Sequence, residues 1–296
     1  MLKRTLTGAL VLGVVLGAYA LDDRFMGGAS PLLALIGSTL TLGALVELLR
    51  MGQCPRRQRH VGVVAGVVWL LALAFAGAAA GPWGDAWPAG VVGAAVQTGD
   101  LLAAAAGLAA LYLAIQIRRG PDPGTGKLAR SLWFAVPYTG GLACLVALLM
   151  SGRVEWVLGV VLVAKSSDIG AYFTGKTLGK RKLAPRVSPN KTVEGALGGM
   201  VLPALVAAWL LNGVRVGNAP DGSAITLAGG ALGAAGHGLA LGALTIVSDL
   251  SESLLKRSCE VKDSGHVFGE SGGFLDLGDS LLLVGPFALA YTALLT

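Results

Sequence analysis

The sequence predicts an all-α, polytopic transmembrane protein. Hydrophobic residues make up 54% of the 296 residues and charged residues only 14%, which is too little charge to cover a soluble protein of this length. The 45 glycines suit close helix packing in lipid better than they suit soluble helices. The three cysteines are scattered and form no CxxC pair, so they indicate neither a disulfide framework nor a thiolate metal site.

The apolar stretches set the number of spans. A helix needs roughly 20 apolar residues to cross the hydrocarbon core, which gives about nine candidates here. We interpret 1–130 as N-terminal transmembrane helices, and 131–296 as a catalytic transmembrane region with cytoplasmic loops at 176–192 and 251–279. The predicted spans are 5–21, 31–48, 61–80, 90–117, 131–151, 154–174, 194–212, 224–249 and 280–295.

The basic residues predict the orientation. Loops that alternate on one side of these spans hold most of the 23 Lys and Arg residues, whereas only Arg24, Arg153 and Arg215 fall on the other side. Cytoplasmic loops carry such an excess of cations, so we expect a cytoplasmic N-terminus and an external C-terminus. The net charge of +6 is then explained without a nucleic-acid partner.

Ionisable residues at membrane depth are costly and mark function by default. We expect Glu47, near a helix end, to reach toward Arg50, and we leave the role of Asp100 open. Three further ionisable residues lie where predicted spans run into basic, glycine-rich segments, and this arrangement indicates a polar cleft. They are Lys165, Asp168 and Asp249.

Residues 170–177 match the phosphate-loop pattern GxxxxGK[ST]. Such a loop needs a preceding buried strand and a flexible turn. Here Tyr172 and Phe173 fill its middle and the stretch ends a span, so we expect it not to bind a nucleotide.

The predicted loop 176–192 is rich in cations. Positive charge alone could bind anionic lipid head groups, but Ser188, Pro189 and paired glycines indicate a specific backbone shape. The cations are Lys176, Lys180, Arg181, Lys182, Arg186 and Lys191.

The segment from Asp249 to Asp279 combines carboxylates with cations. If the preceding span continues as a helix, Asp249, Glu252 and Lys256 share one face with Ser253. Asp276 and Asp279, three residues apart, can converge in the same way. Carboxylates beside cations are typical of a site that holds Mg²⁺ next to a substrate phosphate.

Both segments resemble the phosphatidate cytidylyltransferase (CDP-diglyceride synthase) family. The family signature S-x-x-K-R-x4-K-D-x-G, followed by a His, a Gly pair and a D-x-x-D pair, is matched without gaps between Ser253 and Asp279. The resemblance covers roughly 165–285. This chain departs from the usual pattern at Ser271, where the family has His, and at Leu277, where it has Arg.

The resemblance implies an enzyme that joins CTP to phosphatidic acid, giving CDP-diacylglycerol and pyrophosphate. It implies a bacterial-type inner membrane, an active site facing the cytoplasm, Mg²⁺ as cofactor with a monovalent cation as an open addition, and a homodimer among membrane lipids. The implied metal ligands are Asp249, Asp276 and Asp279, with Asp168 as a weaker candidate. The implied substrate-binding residues are Lys176, Ser188, Lys191, Ser253, Lys256 and Arg257. The implied catalytic residues are Lys262, Asp263 and His266.

Three alternatives stay open. A related lipid-phosphate transferase or kinase would use another lipid acceptor. An ion-coupled transporter would use Lys165, Asp168 and Asp249 as its pathway, although the two motif segments show no internal repeat of the kind common in transporters. A homologue that binds substrate without turnover would fit the departures at Ser271 and Leu277.

Overall fold

A computed structural model describes residues 13–22, 24, 30–52, 67, 140–218, 224–227, 229–268 and 272–295. Within this part of the chain, four helices are long and apolar enough to cross a membrane, or five if a bent pair at the C-terminus counts as one span. The predicted helical membrane class is confirmed. The predicted spans 61–80, apart from residue 67, and 90–117 fall outside the described residues, so the total of nine stays a prediction.

The chain forms two compact units. One comprises Met1–Gly152 with Asp263–Asp276, and the other comprises Arg153–Lys262 with Leu277–Thr296.

The first unit contains three described helices before residue 152: α1 (Gly13–Asp22), α2 (Pro31–Met51) and α3 (Gly140–Met150). The buried Asp22 carboxylate accepts hydrogen bonds from the backbone N–H groups of Leu32 and Leu33 at 3.2 and 3.1 Å. The first N–H groups of a helix lack partners within the helix, so Asp22 supplies acceptors at the start of α2.

The second unit is built on three long helices: α4 (Val154–Leu178), α5 (Val193–Leu210) and α6 (Gly230–Ser258). Helix α5 packs against both of the others through glycines. A Cβ at Gly170 of α4 would clash with the backbone of Gly198, and a Cβ at Gly242 of α6 would lie 2.6 Å from the carbonyl oxygen of Gly199. The Ser167 hydroxyl also donates to the Gly199 carbonyl at 2.6 Å. Close approach through small residues is how membrane helices associate.

Two short hairpins connect these helices. Strands β1 (Lys182–Ala184) and β2 (Ser188–Thr192) pair antiparallel, as do β3 (Arg215–Asn218) and β4 (Ala224–Thr226). The first hairpin occupies most of the predicted loop 176–192. Strand β2 leads directly into α5, where the Thr192 hydroxyl accepts from the Gly195 N–H at 3.1 Å and caps the helix.

Several predicted boundaries move. The predicted span 224–249 begins instead at Gly230, because 224–226 pairs as strand β4, and the helix continues to Ser258. Residues 251–258 of the predicted loop 251–279 are therefore helical. Residues 170–177 are also helical throughout, so they form no phosphate loop.

The C-terminal region is a bent helical segment. It consists of α7 (Phe274–Gly278), a 3₁₀ helix (Asp279–Leu281) and α8 (Val284–Leu295), with a bend of 45° at the break before Val284. The last predicted span, 280–295, thus begins inside a helical segment that starts at Phe274.

Candidate active site

Three carboxylates gather in the second unit. Asp249 and Glu252 lie three residues apart on α6, so they share one face of the helix. Asp279 comes from the 3₁₀ helix, and one carboxylate oxygen from each of the three lies within 4.8 Å of the others. The Leu283 N–H donates to the Ser248 hydroxyl at 3.1 Å, which ties the C-terminal segment to α6 beside this carboxylate cluster.

Each member of the carboxylate cluster has a lysine partner, and the three lysines come from three elements of the second unit. Asp249 pairs with Lys191 of β2. Glu252 pairs with Lys256, one turn along α6, at 2.6 Å, and Asp279 pairs with Lys165 of α4 at 3.6 Å. Carboxylates this close repel one another, so the three lysines stabilise the cluster.

Lys165 connects α4 to the segment that carries Asp279. Its ammonium group donates to the Ser280 hydroxyl at 2.5 Å and to the carbonyl oxygen of Leu277 at 3.3 Å. The Asp168 carboxylate lies 3.9 Å from the same ammonium group. The lysine therefore contacts the chain on both sides of Asp279, and Asp168 lies at the edge of the cluster.

The three carboxylate side chains of the cluster are buried to different extents. The side chain of Glu252 is 1% exposed, whereas those of Asp249 and Asp279 are 26% and 24% exposed. A buried carboxylate and two half-buried ones within 4.8 Å of one another form a set of hard oxygen ligands, which suits a divalent cation. The carboxylate cluster therefore fits Mg²⁺.

The cluster differs in membership from the predicted metal set. Asp249 and Asp279 are brought together as predicted, and Glu252 joins them. Sequence reasoning placed Glu252 on the face of Asp249 but left it out of the metal set, although the spacing of three residues was sufficient to include it.

Asp276 has a different environment, in the first unit. Its carboxylate accepts from the Gly273 N–H at 2.8 Å, the Ser264 N–H at 3.1 Å and the Ser264 hydroxyl at 2.5 Å. It organises the backbone around the start of α7. Its assignment to the metal stays a prediction.

The prediction that Glu47 reaches toward Arg50 is wrong. Glu47 is 4% exposed, and its carboxylate accepts from the N–H groups of Phe274 and Leu275 at 3.0 and 2.9 Å and from the Ser264 hydroxyl at 2.8 Å. A charged group in an apolar helix can be stabilised by hydrogen bonds inside the protein as well as by water at the membrane surface. The sequence pattern around Glu47 does not indicate donors that lie so far along the chain.

The predicted substrate-binding residues fall in several places. Lys191 lies at the carboxylate cluster, as does Lys256. Lys176 is exposed and lies over the ring of Tyr172 at 5.6 Å. The remaining substrate-binding assignments stay predictions: Ser188 and Ser253 are half-buried, and Arg257 is exposed. The predicted catalytic residues also stay predictions, and all three are exposed: Lys262, Asp263 and His266.

Known proteins resemble this chain in sequence. Residues 2–295 match the cytidylyltransferase family. The phosphatidate cytidylyltransferase of Bacillus subtilis (strain 168) is 42% identical over 139 residues, which cover 47% of this chain and 48% of the relative. The enzymes of the same name from Haemophilus influenzae and Helicobacter pylori (strain 26695) are each 39% identical, over 44% and 46% of this chain and 43% and 46% of their own lengths.

The chain thus spans about half the length of the curated relatives it matches. The family match, however, runs from residue 2 to residue 295. With that coverage, this protein belongs to the cytidylyltransferase family.

Proposed function

We propose that the protein is a membrane-embedded CTP:phosphatidate cytidylyltransferase. The observation that carries the proposal is the carboxylate cluster of Asp249, Glu252 and Asp279 with its three lysine partners. Family membership and the names of the relatives support the same reaction. The product would be CDP-diacylglycerol, an intermediate of phospholipid biosynthesis.

The reaction depends more on stabilising negative charge than on acid–base catalysis. An oxygen of the phosphatidate phosphate attacks the α-phosphorus of CTP, a new P–O bond forms, and the bond to the β-phosphate breaks to release pyrophosphate. The attacking oxygen is already ionised at neutral pH, so no general base is required. Two polyanions must instead be held together while charge develops on the leaving group.

The carboxylate cluster would hold the divalent cation. Asp249, Glu252 and Asp279 are the ligands that the structure favours, and Mg²⁺ bound there would neutralise phosphate charge and stabilise the leaving pyrophosphate. The half-buried Lys165 and Lys191 lie beside these ligands. Their ammonium groups would orient the phosphates as point charges.

The position of the cluster suits a lipid substrate. Asp249 and Glu252 lie in the last third of the long apolar helix α6, and Lys165 lies one residue before the midpoint of α4. The acyl chains would stay in the bilayer while the lipid phosphate enters near the membrane surface, where CTP is dissolved. We propose that this surface is the cytoplasmic side of a bacterial-type inner membrane.

The remaining expectations belong to the same proposal. They are nine spans with a cytoplasmic N-terminus, closure of the basic loop over CTP, a homodimer, and a monovalent cation beside Mg²⁺. The apolar stretches and the distribution of Lys and Arg support the spans and their orientation, and the resemblance of the two sequence segments supports the other three expectations.

Incorporation of [α-³²P]CTP into chloroform-extractable lipid tests the proposal. The purified full-length protein should label phosphatidic acid with Mg²⁺ and lose that activity in EDTA. Asp249→Asn should remove it, whereas Glu155→Gln, an exposed carboxylate in the first turn of α4, serves as the matched control. Labelling of a polyprenyl phosphate but not of phosphatidic acid would assign another acceptor, and no lipid labelling would reject the proposal.

A further inference from the structure

Glu47 lies far from the predicted catalytic segment in sequence but contacts it directly. One oxygen of its carboxylate accepts from the Phe274 N–H, and the other accepts from the Leu275 N–H and the Ser264 hydroxyl. Phe274 and Leu275 are the first two residues of α7. The first N–H groups of a helix have no partner within it, so a carboxylate from α2 caps α7.

The glycines of the segment make room for this carboxylate. A Cβ at Gly265 would lie 2.5 Å from a Glu47 oxygen, and a Cβ at Gly273 would clash with both oxygens. Gly272 has a φ of +87°, a conformation that side chains disfavour. Glycines at these positions therefore let the chain fold around Glu47.

A second carboxylate holds the same segment from within. Asp276 accepts from the Gly273 N–H and from both the N–H and the hydroxyl of Ser264. The Ser264 hydroxyl thus lies between two carboxylates, 2.8 Å from Glu47 and 2.5 Å from Asp276. These contacts hold Ser264 against Gly273 and the start of α7.

We infer that Glu47 is a positioning residue for catalysis: it holds Ser264, which lies between the predicted catalytic residues Asp263 and His266, and the start of α7, which leads in sequence directly into Asp279. The inference rests on the proposed function. It gives the N-terminal helix α2 a role in turnover, through a residue that touches neither substrate nor metal. A misplacement of reacting groups by about 1 Å can cost about 10²-fold in rate, so the loss of this cap should reduce turnover.

The geometry makes a specific demand on the side chain. Both carboxylate oxygens accept from backbone N–H groups, so an amide at this position would point its NH₂ at one of the two donors. Glu47→Gln is nearly isosteric but removes one acceptor. Glu47→Asp keeps both acceptors on a shorter side chain, so it should restore part of what Glu47→Gln loses.

The test compares Glu47→Gln, Glu47→Asp and the Glu155→Gln control in the purified full-length protein. At a temperature well below unfolding, we expect Glu47→Gln to lower kcat by about 100-fold, with KM for CTP within about threefold of wild type because its ligands are untouched. Glu47→Asp should recover at least part of the lost kcat. Hydrogen exchange should accelerate in the peptide that covers 264–276 and remain unchanged in α4 to α6.

The outcomes separate the two proposals. An inactive wild type would reject the proposed function. An active wild type with normal kcat in Glu47→Gln would overturn the positioning role and leave the proposed function standing. Faster exchange throughout α4 to α6, or no recovery in Glu47→Asp, would mean a general loss of fold and would also overturn it.

Discussion

Glu252 and Lys256 lie one helical turn apart on α6 and form an ion pair in which 2.6 Å separates Oε2 from Nζ. Their side chains are 1% and 15% exposed. The pair lies beside Asp249 and Asp279. Lys256 therefore offsets the repulsion among three carboxylates and also the cost of burying the charge of Glu252. Charge balance in the site and stability of the fold therefore depend on the same contact.

This pair predicts an asymmetric response to mutation. Lys256→Met should lower the free energy of unfolding by about 3–5 kcal/mol, because it leaves a buried carboxylate without its cation. The double variant Glu252→Gln/Lys256→Met should be more stable than Lys256→Met alone. Thermal unfolding in detergent measures both, and a double variant less stable than the single one would contradict the prediction.

Some of this site could be read from the sequence, because it depends on local periodicity. The spacing of Asp249 and Glu252 places both carboxylates on one face of any helix. The structure has this helix, because α6 continues to Ser258. The same reasoning suggested that Asp276 and Asp279 converge. In the structure, nearby N–H donors bind Asp276, and a local spacing rule does not include those donors.

The features that could not be predicted from the sequence depend on contacts between segments that are distant in the chain or on strand pairing. The donors to Glu47 lie more than 200 residues away, and no pattern near Glu47 indicates them. The sequence predicts a loop at 176–192 between two spans, whereas Lys182–Ala184 and Ser188–Thr192 pair as strands β1 and β2. Pairing with a neighbouring strand, which sequence alternation did not show, decides that structure.

Lys165 predicts a loss of activity without a large loss of fold. It contacts Ser280, Asp279 and the carbonyl oxygen of Leu277, so Lys165→Met should free the segment that carries a metal ligand. We expect kcat/KM for CTP to fall by about 10²-fold, with Lys165→Arg retaining more activity than Lys165→Met.

Arg215→Met is the matched control for Lys165, since Arg215 is an exposed cation on β3. A further variant uses Leu277, whose carbonyl oxygen accepts from Lys165. Leu277→Arg in the Lys165→Met background should recover part of the activity. Equal activity of Lys165→Met and Arg215→Met would remove Lys165 from the site.

The carboxylate cluster predicts where the metal binds. Asp249→Asn and Glu252→Gln each remove an oxygen ligand of a cluster that fits a divalent cation. Both should weaken Mn²⁺ binding by at least about tenfold, consistent with the effect of disturbing a metal site. Electron paramagnetic resonance of added Mn²⁺ measures this without turnover, and Glu155→Gln should bind like wild type. Unchanged binding in Asp249→Asn would assign the metal elsewhere.

Two glycines on one helix predict opposite effects of the same substitution. A Cβ at Gly238 of α6 would clash with the carbonyl oxygen of Pro203 and lie 2.6 Å from the Cβ of Ala207, whereas a Cβ at Gly236 meets nothing within 4 Å. Gly238→Ala should therefore separate α6 from α5 and destabilise the protein by about 1–3 kcal/mol. Gly236→Ala should stabilise it by about 0.5–1 kcal/mol, because alanine favours the helix.

Thermal unfolding of the two alanine variants in the same detergent measures the difference directly. Because α6 carries Asp249 and Glu252, a displaced α6 should also lower the activity of Gly238→Ala at temperatures where it is folded. Equal unfolding temperatures for the two variants would mean that α5 and α6 tolerate a wider spacing. The carboxylate cluster would then not depend on the close packing at Gly238.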